Sequence, residues 1–214
     1  LTDATWPAAD GRAGEPGPPL SVRPAPRRER LRAATAALHA DLEARSEAAG
    51  HFDGIEGYRR YLRRMLPLYA ALECALDTAA PPVLADWARR AKVGAIRADL
   101  AALDADAPAE GPVPLIGVLA RPWGPGTALG VLYVLEGATL GGAVLARRMA
   151  AHGLTRERGG RFLDPYGPAR GALWRGFLAA LEDTALPAAE EATLPPAAAA
   201  AFGLFASRLD APAR

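Results

Sequence analysis

Apolar positions recur at intervals of three and four along most of the chain, from about residue 29 onward, which is the period of amphipathic helices. The pattern breaks at Gly50, Pro81-Pro82, Pro112 to Pro114, Pro122, Gly159-Gly160 and Pro195-Pro196. At these points a missing N–H or a missing Cβ interrupts helical continuity. Between the breaks the spacing predicts helices over 29–47, 55–78, 82–104, 113–120, 125–152, 165–184 and 188–209. No stretch sustains the alternation of β-branched residues that marks a strand, and no Asn-Gly or Asp-Gly turn joins two such runs. The expected fold is therefore all-α: a compact single-domain bundle of six to eight helices, with no fixed-period repeat that would signal a solenoid.

Residues 1–28 depart from this period and are dense in proline and glycine, so they read as a disordered arm ahead of a helical domain at 29–214. The run "RRER" at 27–30 reads as a solvated helix entry and is given no function. A chain of 214 residues and 22.3 kDa suits one domain with a substantial core. Its 25 basic and 24 acidic residues leave a net charge of +1, too little to favour nucleic acid or an anionic membrane as a partner. No apolar run approaches the roughly 20 residues that cross a bilayer, and the start does not resemble a signal peptide. A soluble, cytoplasmic protein is expected.

Cys74 is the single cysteine, which excludes an internal disulfide and a multi-cysteine metal site. Between Leu72 and Leu76 it reads as a small buried hydrophobe. Histidines number three: His152 stands at a helix end, His51 in a loop, and neither is placed for ligation. Trp87, Trp123 and Trp174 read as core or groove aromatics.

His39 is different. In "LRAATAALHADLEAR", Leu31, Thr35, Leu38 and Leu42 form an apolar stripe, and Arg32, His39 and Glu43 line one edge of it. Glu43, four residues beyond His39, can hold one imidazole nitrogen and leave the other free for iron. Arg32 lies about 10 Å away along the axis, within reach of an anionic group on a flat ligand. Taken alone, a helix-stabilising His–Glu pair is the commoner use of such spacing.

The stretch "YVLEGATLGGAVLARRM" spends Gly137, Gly141 and Gly142 inside a helix, at about 2–3 kcal/mol relative to alanine. Tyr133, Gly137, Gly141 and Val144 share one face, with Leu140 alongside. A face stripped to backbone either receives another helix closely or accepts a planar ligand. Between the glycines stand only Ala138, Thr139 and Leu140, so no acid or histidine serves that face.

Together the two stretches resemble the heme oxygenase family, in particular its bacterial biliverdin-producing members found beside bacteriophytochromes. "GYRRYLRRMLPLYAALECALD" and "YGPARGALWRGFLAALE" follow in family-like order, and the resemblance runs from about Leu31 to Asp210. It implies that heme, both cofactor and substrate, lies between a proximal and a distal helix. His39 would then be the proximal iron ligand and Glu43 the residue that orients it. Gly137, Gly141 and Gly142 would be the distal backbone platform that leaves room for dioxygen, and Arg32, Tyr133 and Arg175 would contact the heme propionates. Ala138 stands where animal members carry an aspartate. The implied reaction opens heme to biliverdin, iron and carbon monoxide, with electrons from a ferredoxin or reductase type of donor and a bacteriophytochrome as the recipient of biliverdin. The same scaffold could hold heme or a bilin without turnover, or act on another small heterocycle.

Overall fold

The computed structural model describes residues 25–108 and 113–209. Among the described residues seven α-helices follow one another: α1 (Arg27–Ala48), α2 (Ile55–Ala79), α3 (Val93–Ala102), α4 (Pro125–Ala150), α5 (Arg170–Asp183), α6 (Ala188–Glu191) and α7 (Leu194–Leu209). Among the described residues there is no β-strand, only isolated bridges at Thr155. The all-α expectation holds. Most of the arm lies outside the described residues, but Arg27 and Arg28, placed in it by composition, already belong to α1.

The core forms where α7 lies against both α1 and α4 and α2 backs them. Leu62, Leu66, Leu132, Leu135, Ala198 and Ala201 are fully enclosed there. Pro195 and Pro196 sit in the first turn of α7, where missing N–H groups break no intrahelical bond. α4 corrects one expectation, because by length and composition it could span a bilayer, with a mean hydropathy of 1.7 over its best window. More than half of that window, 56%, is buried within the bundle, the property of a core helix.

Three sequence-based helices are shorter than their periodicity suggested. The stretch 82–104 yields a 3₁₀ turn at Trp87–Arg89 and then α3, and the stretch 113–120 yields only a 3₁₀ turn at Gly117–Ala120. The interruption before α3 has a cause: Arg90 and Lys92 turn inward to reach buried carboxylates, and Glu73 accepts hydrogen bonds from the backbone N–H groups of Lys92 and Val93 (2.5 and 3.2 Å). Those donors would otherwise be orphaned at a helix start. Residues 165–169 likewise precede α5 as turn and 3₁₀ structure.

In the run at 27–30, Arg28 and Glu29 are exposed as expected of a helix entry, whereas Arg27 and Arg30 are half-buried and engaged. Arg27 Nη1 donates to the carbonyls of Leu181, Glu182 and Thr184 at 2.6–3.1 Å, neutralising the exposed carbonyl end of α5. Its guanidinium also pairs with Glu191, which Arg30 meets at 2.6 Å. In return the Glu182 carboxylate accepts the N–H groups of Arg27 and Arg28 at 3.0 and 2.9 Å, capping α1 from another helix. Cys74 is exposed. Two helix positions correspond to 200° of rotation, so a residue midway between the buried Leu72 and Leu76 faces away from both.

Candidate functional site

α1 and α4 face one another across a cleft floored by α2 and α7. Its larger lobe, about 460 Å³, is lined by Arg28, Arg32 and His39 from α1, Tyr133 and Gly137 from α4, and Trp174 from α5, among others. A smaller adjoining lobe of about 150 Å³ is lined by Glu43, Gly141, Gly142 and Lys92. His39, Leu42, Tyr61, Tyr69, Ala138 and Phe205 border both lobes. The two lobes form one trough, of a size that suits a small-molecule cofactor.

His39 stands on the wall of this trough with its side chain 59% exposed and Nδ1 3.5 Å from Glu43 Oε2. Its ring meets Phe202 edge-on, with 5.9 Å between centroids, so α7 fixes one side of the imidazole while the cleft leaves the other open. Nε2 is the nitrogen without the carboxylate and the one available to a metal. Among the described residues no group of three or more His, Cys, Asp or Glu could enclose an ion. A metal at His39 therefore has to arrive with most of its ligands already supplied, as a macrocycle does.

The three glycines of α4 have different surroundings. A Cβ built on Gly137 or Gly141 meets no atom within 4 Å, whereas on Gly142 it would stand 2.5 Å from the carbonyl oxygen of Leu163. Gly137 and Gly141 thus present bare backbone to open space. Gly142 lets the 162–163 segment pack against the helix, although its edge also borders the smaller lobe. Of the two uses for a stripped face, close packing is the one made at Gly142, while Gly137 and Gly141 border free volume.

Arg32 and Tyr133 line the larger lobe as expected, and Arg28, one turn before Arg32, joins them. Arg175 does not line it. Its guanidinium lies toward Gly171, and the α5 residue facing the cleft is Trp174, one position and 100° away. Positive charge therefore gathers at the α1 end of the trough. Tyr61 and Tyr69 border both lobes; burial pushes the Tyr61 phenol up to about 12 and raises that of Tyr69 as well. Both are neutral at physiological pH. Val144, placed on the glycine face by periodicity, is exposed.

Behind the glycines lies a polar cluster that the motif reading did not contain. Glu136, 1% exposed, pairs with Arg90 at 2.6 Å and Lys92 at 3.1 Å, and it accepts the Tyr166 hydroxyl at 2.7 Å. Arg90 also holds Asp86 at 2.7 Å. One signal was available: Glu136 is the lone acid of α4, and an acid amid an apolar helix face requires buried partners.

The fold and trough define an all-α protein with a small-molecule cleft walled by an imidazole on one helix and bare backbone on another. The heme oxygenase family model matches residues 26–211. The chain is 37% identical over 168 residues to a heme oxygenase of Xanthomonas campestris pv. campestris, a match covering 77% of this chain and 95% of that protein. It is 31% identical over 193 residues to the heme oxygenase PigA of Pseudomonas aeruginosa, covering 90% and 96% respectively. Among solved structures, the heme oxygenase of Neisseria meningitidis, determined in NO- and CO-bound forms, superposes with a TM-score of 0.76. That match covers 89% of this chain and 98% of the other, at 24% identity. This chain belongs to the heme oxygenase family.

Proposed function

We propose that the trough binds heme through His39 and that the protein is a biliverdin-producing heme oxygenase, releasing iron and carbon monoxide. The observation that carries this reading is the opposition of His39 on α1 to two glycines of α4 beside which an added Cβ would meet nothing. The lining fits the group. Phe202, Phe205, Leu42 and Trp174 supply apolar surface for a macrocycle, and Arg28 and Arg32 supply cations for its propionates.

Bound heme supplies the redox-active iron and the ring that is oxidised. The chain's own residues do the rest. His39 anchors the iron, and Glu43 holds the Nδ1 side of the imidazole, fixing its orientation and raising its basicity. Arg28 and Arg32 select the rotation of the ring by pairing with carboxylates at one end of the trough. Gly137 and Gly141 would keep side chains off the wall opposite His39. Tyr61 and Tyr69 form neutral aromatic walls that keep bulk water out.

Electrons come from an external donor of the ferredoxin or reductase type. We place the enzyme in the cytoplasm, with a bacteriophytochrome as the acceptor of its biliverdin. Reductant and air added to the hemin complex separate this reading from simple heme storage. The Soret band should decay as a red bilin absorption grows, and a stable Soret band would overturn turnover. Gly137→Leu should bind hemin through His39 yet form no bilin.

A further inference from the structure

No acid stands among the distal glycines, yet the smaller lobe beside them is bordered by a buried cation. Lys92 is 2% exposed and lines that lobe together with Thr139, Gly141 and Gly142. Its Nζ donates to the carbonyl of Arg90 at 3.2 Å and to Glu136 Oε1 at 3.1 Å. An ammonium has three N–H donors, so one is left over. The ring of Tyr166 lies 5.3 Å beneath the ammonium, and the Tyr166 hydroxyl, bonded to the same Glu136 oxygen at 2.7 Å, fixes the geometry from the other side.

The hydrogen bonds around Lys92 leave more than a structural pairing to account for. Glu136 already has a full partner in Arg90 at 2.6 Å and a third donor in Tyr166. Asp86, which holds Arg90 through both of its oxygens, and Glu136 together match the two cations in charge. Glu73, the other carboxylate nearby, is engaged by the backbone N–H groups of Lys92 and Val93. What the cluster leaves unanswered is the third N–H of the Lys92 ammonium, a buried donor that is costly unless the lobe supplies an acceptor such as water.

We propose that Lys92, held in place by Glu136, is the positioning residue of the dioxygen side: its spare N–H and positive charge order the water next to Gly141 and stabilise negative charge there. This rests on the heme oxygenase reading of the cleft. It gives the lobe a cationic donor at a place where Ala138 supplies none.

The test uses the hemin complexes of wild type, Lys92→Met and Lys92→Arg. Two readouts do not depend on turnover: hemin affinity, and the pH midpoint of the ferric complex's spectral acid–base transition. The alkaline form carries one more negative charge on the open side, so removing a nearby cation should raise the midpoint by about 0.5–1 pH unit. Lys92→Met should bind hemin within about threefold of wild type, show the raised midpoint, and lose about tenfold or more in bilin formation. Lys92→Arg should return the midpoint to near wild type. A Lys92→Met complex with an unshifted midpoint overturns the proposal and leaves Lys92 a structural partner of Glu136. If the Met variant does not fold, Lys92→Gln, which keeps a donor to Glu136 without the charge, carries the same criterion. Failure of the wild type itself to bind hemin through His39 would instead overturn the underlying reading of the cleft.

Discussion

Gly137→Ala and Gly142→Ala place the same methyl group on the same helix five residues apart, and their consequences should have opposite sign. At either position alanine gains roughly 0.8–1 kcal/mol of helix propensity. At Gly137 nothing offsets the gain, because no atom lies within 4 Å of the new Cβ. The ligand-free protein should be about 1 kcal/mol more stable, a rise of roughly 2–4 °C in Tm for a domain of this size. At Gly142 the methyl would sit 2.5 Å from the Leu163 carbonyl oxygen and 3.3 Å from its carbon. Those are backbone atoms of a buried residue, so the segment must move. Overpacking of this kind costs about 1–3 kcal/mol, which cancels the propensity gain and leaves Tm lowered by a few degrees. Thermal unfolding of the ligand-free variants, followed by far-ultraviolet circular dichroism, reads both. Hemin titration completes the argument, since the more stable Gly137→Ala should bind or turn over heme less well, the signature of a glycine kept for function. If Gly137→Ala destabilises the free protein as Gly142→Ala does, α4 is stripped there for packing and the distal assignment fails.

Other expectations follow from the buried polar groups. His51 is 1% exposed with both ring nitrogens unpartnered, and burial, aided by Arg64 and Arg60, pulls its pKa from 6.5 down to about 4. The unfolded chain therefore takes up a proton at higher pH than the fold does, so stability is complete above pH 6.5 and declines as pH falls toward 4. The loss should be about 3 kcal/mol, visible in urea titrations at pH 7 and 4.5 and reduced in His51→Phe. Glu136→Ala should destabilise by about 3–5 kcal/mol, since it strands the buried Lys92 without its carboxylate and leaves Arg90 only Asp86, measured as a lower urea midpoint. Arg27→Ala should cost about 1–3 kcal/mol by unpairing the carbonyls of Leu181 and Thr184, with hydrogen exchange rising first at the end of α5. Arg32→Ala should weaken hemin binding, whereas Arg175→Ala, outside the trough, should leave it unchanged.

Periodicity located the long helices because α2, α4 and α7 each bury one stripe against a common core, and a stripe shows in sequence. It extended 82–104 into a single helix because Arg90 and Lys92 look like surface residues until their carboxylates are known. Spacing fixed which residues share a face on each helix, Arg32, His39 and Glu43 on one and Tyr133 with the glycines on the other, and the resemblance to heme oxygenases implied that the two faces meet. Spacing could not apportion the glycines: Gly137, Gly141 and Gly142 are alike in sequence, and only the passage of Leu163 beside one of them separates their roles. Nor could it choose between Trp174 and Arg175. The rotation of α5 about its axis is set by Phe177 and Leu181 packing inward, a tertiary fact. The clasp of Arg27 and Arg30 on Glu191 spans more than 160 positions and leaves no local trace.

Everything rests on an iron macrocycle being held by the imidazole of residue 39. Titrating the full chain with hemin, wild type beside His39→Ala, examines that bond itself. Wild type should take up one equivalent with the Soret band of a histidine-ligated heme. His39→Ala should lose that band and regain it on addition of free imidazole. An unaltered Soret band and affinity in His39→Ala would place the ligand elsewhere and contradict the account.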